Sequence, residues 1–313
     1  MLLQSRSILL IAIVSLLLPL TASGNQRDDA PRIVTLAPAL SQMLVDLDMA
    51  DHIVGAASYD DVVRDGLPVV GGFQDIDTER LLSLRPTHVL TMTTSNDPPA
   101  RLRELAEAGR FELVSYRYPD TIDQVLDILH HDTQTDGPRR LGELLNIPQR
   151  AEQLKRRTRN QLDALRELTA ERTPPKVLIV IGTGPVTASG PDTVNHELLA
   201  YAGGVNAAGE ASVMAPTYDR EALIALAPEV IVLMLPGAPP LTDGDARLAE
   251  FAGLPIPAVE RGRIHLLNDP LIVLPSTNLP QVGLAMARAI HPALDEALRE
   301  LEASFAEASE RAP

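Results

Sequence analysis

Few side chains in this sequence stand at spacings that perform chemistry. The seven histidines, His52, His88, His130, His131, His196, His265 and His291, are scattered. The adjacent pair His130-His131 diverges on a helix and makes a poor chelate, because helical residues face each other only three or four apart. No His-x-x-x-His and no acidic loop with ligand spacing occurs. No G-x-S-x-G elbow frames a serine nucleophile. Gly182-Thr183-Gly184-Pro185 is a glycine-rich turn after an apolar run. It lacks the Lys-Ser/Thr of a phosphate-binding loop and the third glycine of a dinucleotide fingerprint. The absence of cysteine excludes disulfides, thiolate zinc sites, iron–sulfur clusters and a cysteine nucleophile. These residues point to binding, and no enzyme chemistry or resident metal is expected.

The elements that position any site alternate between short apolar strands and helical patterns. Strands are predicted over 33–36, 53–56, 88–92 and 112–116, with a helix-like run over 41–47. Strands separated by helices imply α/β architecture with mostly parallel pairing. From Pro148 the pattern changes to a glycine-free stretch rich in helix formers, with Leu154, Leu162, Leu165 and Leu168 near helical spacing. Pro148 suits a first helical turn and Pro174-Pro175 ends the run, which predicts one helix of about 25 residues, roughly 37 Å long. The basic residues Lys155, Arg156, Arg157 and Arg159 on it read as a solvated helix face. A strand restarts at 176–181.

A repeat links the two halves. Asp77-Thr78-Glu79-Arg80-Leu81 through Pro86 is matched without a gap, 142 residues later, by Asp219-Arg220-Glu221-Ala222-Leu223 through Pro228. Each copy reads as an Asp N-cap, a short helix, a proline that stops it and a strand. The organisation is therefore a leader over 1–24, an N-terminal α/β lobe over 25–147, a connecting helix over 148–173 and a C-terminal α/β lobe over 174–313, with a ligand cleft between the lobes.

Composition narrows the partners. The 313 residues carry 27 Lys and Arg against 42 Asp and Glu, a net charge of −15. That balance argues against nucleic acid, whose phosphates select basic surfaces. Residues 1–24 read as a secretory signal peptide, with Arg6 ahead of an apolar run and Ala22-Ser23-Gly24 as the cleavage site. The mature chain is expected to be periplasmic and monomeric, and without cysteine it is not lipid-anchored.

The run Arg32-Ile33-Val34-Thr35-Leu36-Ala37-Pro38, then Ile53-Val54-Gly55, Tyr59-Asp60, Val70-Gly71-Gly72-Phe73, the Asp77–Pro86 repeat unit, Thr187-Ala188-Ser189-Gly190 and the Glu221 copy occur in a characteristic order. Together they resemble the periplasmic substrate-binding proteins of the cobalamin and ferric-siderophore ABC importers, over nearly the whole mature chain. The resemblance implies two α/β lobes, a rigid linking helix and a metal chelate, a corrinoid or an Fe(III)–siderophore, captured between them. It also implies an ABC permease dimer with its ATPase as partner, with Glu79 and Glu221 as the paired docking carboxylates. Ligand-facing positions carried over from it include Tyr59, Phe73, Gln74, Asn96, Thr183, Tyr218 and Asp269.

The chain departs from the cobalamin pattern in having no Trp, with Ala215 and Pro270 where large aromatics are expected. Haem binders of the superfamily use Tyr or His as axial ligand, which makes Tyr59 and Tyr218 candidates. Siderophore binders often set Arg against the anionic chelate, and no Arg is assigned to the cleft. Haem binding, a sensor or enzyme domain on the same scaffold, and free Zn or Mn binding stay open as alternatives.

Overall fold

The computed structural model describes residues 30–63, 66–72, 75–95, 97–131 and 137–310, so the expected leader lies outside the described residues. The first β-branched run becomes β1 (Ile33–Thr35), buried throughout, and leads into α1 (Pro38–Asp46). Pro38 stands in the first turn, where its missing N–H costs nothing. Then follow β2 (Ile53–Ala56), α2 (Thr78–Ser83), β3 (His88–Thr93), α3 (Ala100–Glu107) and β4 (Glu112–Arg117). These strands form one all-parallel sheet in the order β2-β1-β3-β4. After α4 (Ile122–Asp127) and α5 (Leu141–Leu144) comes α6 (Pro148–Thr169), 22 residues long, starting on the expected proline.

The second sheet holds β5 (Lys176–Thr183), β6 (Val186–Ala188), β7 (Val205–Asn206), β8 (Thr217–Tyr218), β9 (Val230–Met234) and β10 (Ile264–Leu267). Between them lie α7 (Val194–Tyr201), α8 (Arg220–Leu226) and α9 (Pro257–Glu260), and α10 (Leu279–Ile290) and α11 (Asp295–Glu310) close the chain. The order is β10-β9-β5-β6-β8, with β7 also on β5. Strands β10, β9, β5 and β7 pair in parallel, whereas β6 and β8 add an antiparallel extension. The Gly184–Pro185 turn, a cis peptide, closes the β5–β6 hairpin, with Thr183 opposite Val186. The glycine-rich turn therefore reverses a strand and does not open a helix.

A single apolar cluster joins the lobes. It contains Ile33 and Leu90 from the first sheet, Ile179 and Val232 from the second, and Leu154, Leu162 and Leu165 of α6 between them. Each such side chain contributes about 1.5–3 kcal/mol when fully buried, so prising the lobes apart would expose a costly surface. Hydrogen bonds add direction. Ser276 donates to the Ala39 carbonyl at 2.7 Å, and the Ile122 N–H at the start of α4 donates to Glu197 of α7 at 2.7 Å. Thr277 also donates to Asp46.

The repeat survives as structure. Asp77 caps α2 by accepting from the Arg80 N–H at 2.9 Å, and Asp219 caps α8 by accepting from the Ala222 N–H at 2.8 Å. Leu81 and Leu223, equivalent in the two copies, are fully buried. Each unit stops on a left-handed residue just before its proline, Arg85 at φ 47° and Ala227 at φ 45°. A Cβ in that conformation costs about 1–2 kcal/mol. Ala227→Gly is accordingly expected to stabilise the protein by about 0.5–1 kcal/mol, after the extra freedom glycine gives the unfolded chain. A thermal melt checks this; an unchanged or lowered midpoint contradicts it.

Candidate functional site

In open α/β sheets ligands gather beyond the carboxyl ends of the strands. There the two lobes face each other, and a cavity of about 190 Å³ is walled by Tyr118 and Pro119 of the first lobe, Ile181, Val194, Met214 and Ala215 of the second, and the 272–275 loop. Its walls include large apolar side chains left open to solvent: Tyr118 is 43% exposed, Ile181 38% and Met214 45%. Neighbouring Val213 is likewise exposed. Exposed apolar groups gathered at one cleft mark a binding surface, unlike scattered ones. The enclosed volume is below the roughly 300–1,000 Å³ of a whole-ligand pocket.

Local backbone contacts fix these walls. Tyr118 follows directly on β4, and its N–H donates to the Thr93 carbonyl at the end of β3, 2.8 Å away. The loop carrying Val213 and Met214 is strapped to the second sheet through the Gly190 N–H, which donates to the Met214 carbonyl at 2.8 Å. A Cβ at residue 190 would stand 2.4 Å from the Val213 carbonyl oxygen, so only glycine permits this approach. Beside it, Ser189 shares a hydrogen bond with Thr193, the N-cap of α7, and its carbonyl accepts from Asn206. The Thr187–Gly190 motif thus presents Met214 on a fixed loop.

Tyr59 lies at the end of β2, half-exposed, with its hydroxyl donating to the Leu36 carbonyl at 3.1 Å. Burial, then the charges of Asp60 and Asp75, raise its pKa and keep the phenol protonated. Beneath it Asp60 is fully buried and accepts from Ser41 at 2.5 Å, Thr35 at 3.3 Å and the Val62 N–H at 3.1 Å. These bonds tie the turn carrying Tyr59 to β1 and α1. Burial raises the Asp60 pKa despite those donors. The folded state thus holds the proton more tightly than the unfolded chain, and the contribution of Asp60 to stability falls as pH rises from about 3.9 through the elevated value. Asp60→Asn is expected to cost about 1–3 kcal/mol, because one of its acceptor oxygens becomes a donor facing donors. Its deficit against the natural chain should shrink across that window. Urea melts at stepped pH measure it, and a constant deficit contradicts the account.

The other expected ligand contacts are dispersed. Thr183 ends β5 in the hairpin, and Tyr218 of β8 pairs with Val186 while packing on the apolar cluster of the second sheet. Asp269 accepts from the Leu271 N–H at 2.8 Å and faces a different recess, against α6. Phe73, Gln74 and Asn96 lie outside the described residues. Glu79 and Glu221 occupy equivalent first-turn positions of α2 and α8, both exposed and neither in an ion pair. Tyr118, Ile181, Met214 and the 272–275 loop were not identified from sequence. The one available signal was an aromatic directly after a strand, at Tyr118.

Among the described residues no three His, Asp or Glu side chains converge to hold a metal ion, and no helix is long and apolar enough to cross a membrane. Two α/β lobes around an apolar cleft define a solute-binding protein. The chain belongs to the periplasmic binding protein family, whose pattern matches residues 33–271; it is a periplasmic binding protein and not an enzyme. It is 27% identical over 223 residues to the vitamin B12-binding protein of Photorhabdus laumondii, spanning 70% of this chain and 77% of that one. Among solved structures, a periplasmic heme-binding protein from Roseiflexus in its apo form aligns with a TM-score of 0.66 at 26% identity, over 84% of this chain and 99% of that one. A periplasmic heme-binding protein from Pseudomonas aeruginosa aligns with a TM-score of 0.68 at 27% identity, over 84% and 93%.

Proposed function

We propose that this chain captures haem, or a closely related flat metal-bearing tetrapyrrole, between its lobes and delivers it to an ABC importer. The observation that carries this reading is the exposed apolar wall contributed by both lobes, Tyr118 opposite Ile181 and Met214. A planar macrocycle offers two apolar faces to such a slot, and aromatic contacts add to the area it buries. The heme-binding structures at 26% and 27% identity support the same ligand class. An Fe(III)–siderophore is less suited, since among the described residues no Lys or Arg lines the cavity to meet an anionic chelate. A corrinoid is the second reading, supported by the Photorhabdus relative. It must do without the indole surfaces that a Trp would supply.

Tyr118 and Met214 bring an oxygen and a sulfur to the cavity wall, and Tyr59, Thr183 and Tyr218, near strand ends, are further candidate contacts. Delivery uses Glu79 and Glu221. A pseudo-symmetric pair of unpaired carboxylates matches a two-fold symmetric permease dimer presenting the same cation twice. Absorbance titration of the purified protein tests the ligand: haem should give a saturable one-to-one spectral change, and cobalamin a weaker response. Saturation by a ferric siderophore alone would overturn the reading.

A further inference from the structure

The helix that follows the first lobe's cleft wall is capped from the second lobe. Ile122 begins α4, and as a first-turn residue its N–H has no acceptor within the helix. The Thr121 hydroxyl accepts from the Gln124 N–H at 3.2 Å. The Ile122 N–H instead donates to the Glu197 carboxylate, in the first turn of α7, at 2.7 Å. That carboxylate has a firm base, because Thr193 caps α7 by accepting from the His196 N–H at 3.1 Å. The Ile122 side chain is fully buried and joins Val194 and Leu198 of α7 in the shared apolar cluster. Arg159 of α6 backs the same seam, pairing with Asp123 and donating to the Tyr201 hydroxyl at 3.2 Å.

The bond stands directly behind the cleft. Tyr118 and Pro119, three and four residues before Ile122, wall the cavity from the first lobe. Val194 and Asn195, within one turn of Glu197, wall it from the second. A short bracket therefore runs from one wall through a single hydrogen bond to the other. Beyond the cavity, Ser276 follows the 272–275 loop and ties it to the Ala39 carbonyl at 2.7 Å. Apolar burial holds the lobes together without direction, whereas a charge-assisted hydrogen bond fixes a distance. Distance matters in a slot, since a gap of about 0.5–1 Å forfeits roughly a quarter to a half of the dispersion contact.

We propose that Glu197 is a positioning residue of the cleft: by capping α4 from the opposite lobe, it sets the spacing of the two walls that grip the ligand. The identity of that ligand rests on the tetrapyrrole reading above, but the spacing itself is measurable without any ligand.

Spin-label distances test the assignment. The chain has no cysteine, so Glu107→Cys at the end of α3 and Glu260→Cys at the end of α9, both exposed, label one site on each lobe. In that background Glu197→Ala should shift and broaden the unliganded distance distribution. It should also weaken haem binding by roughly tenfold, the effect of one lost hydrogen bond to a charged group. Glu197→Gln keeps an acceptor for the Ile122 N–H and should restore both the natural distances and the natural affinity. Glu197→Asp keeps the charge on α7 but withdraws the acceptor by one methylene, so it should act as Glu197→Ala does even if the alanine chain folds poorly. A lowered thermal midpoint with natural distances in the Ala and Asp variants overturns the proposal, because the cap would then serve α4 alone. Failure of Glu197→Gln to restore the distances overturns it too. A natural chain that ignores haem defeats the ligand reading instead, and the distances still decide the role of Glu197.

Discussion

A chain carrying both Glu79→Ala and Glu221→Ala is expected to bind its ligand as tightly as the natural chain and to support no uptake. The two carboxylates stand on the exposed first turns of α2 and α8, and neither touches the cleft cavity. Their helices keep the Asp77 and Asp219 caps, so each substitution removes only a favourable dipole interaction of about 0.3–1 kcal/mol. Close charge pairs across an interface couple by about 1.5–7 kcal/mol. Losing two at the lower figure weakens docking by roughly 100-fold. Each single variant should fall between. Radiolabelled uptake in cells measures the outcome beside a titration of the purified protein. Undiminished uptake by the double variant removes docking from the account, and a matching loss of ligand affinity relocates the effect to folding.

The second large effect belongs to the cleft. Tyr118→Ala is expected to weaken haem binding by at least about 30-fold, the loss typical of a truncated aromatic anchor worth 2 kcal/mol or more. Met214→Ala should act in the same direction and more weakly, because an unbranched thioether buries less area than a phenol ring. Both side chains are nearly half exposed in the unliganded protein, so the thermal midpoint should hardly move. Tyr118→Phe separates two roles. Affinity close to the natural value assigns Tyr118 to stacking, and a loss equal to that of Tyr118→Ala assigns it to contact through the hydroxyl, whose pKa burial raises. An unaltered affinity in Tyr118→Ala would show that the cavity is not where the ligand sits.

The scaffold was legible in the sequence wherever local chemistry decides local structure. The run Ile53–Ala56 could only be a short buried strand, Pro148 marked a helix start, and Asp77 and Asp219 capped the helices assigned to them. Where tertiary pairing decides, the sequence was silent. Strand β8 is two residues long, and Thr217 and Tyr218 become a strand only because β6 offers them an edge. The cleft was harder still. Tyr118, Ile181, Met214 and Val273 are separated by more than sixty residues in places and share no motif, so only the packing of both lobes makes them one surface. Arg157 illustrates the converse. In sequence it is one cation of a basic run, and its isolation appears only once the partners of its neighbours are placed.

Hydrogen exchange of the full chain with and without saturating haem tests the capture of a tetrapyrrole between the lobes most directly, because it reads the site as well as the binding. The account expects slowed exchange at 117–119, 189–195, 211–216 and 272–275, the segments that wall the cleft, with the exposed faces of α2 and α8 unchanged. Protection confined to other segments, or exchange indifferent to haem, would contradict it.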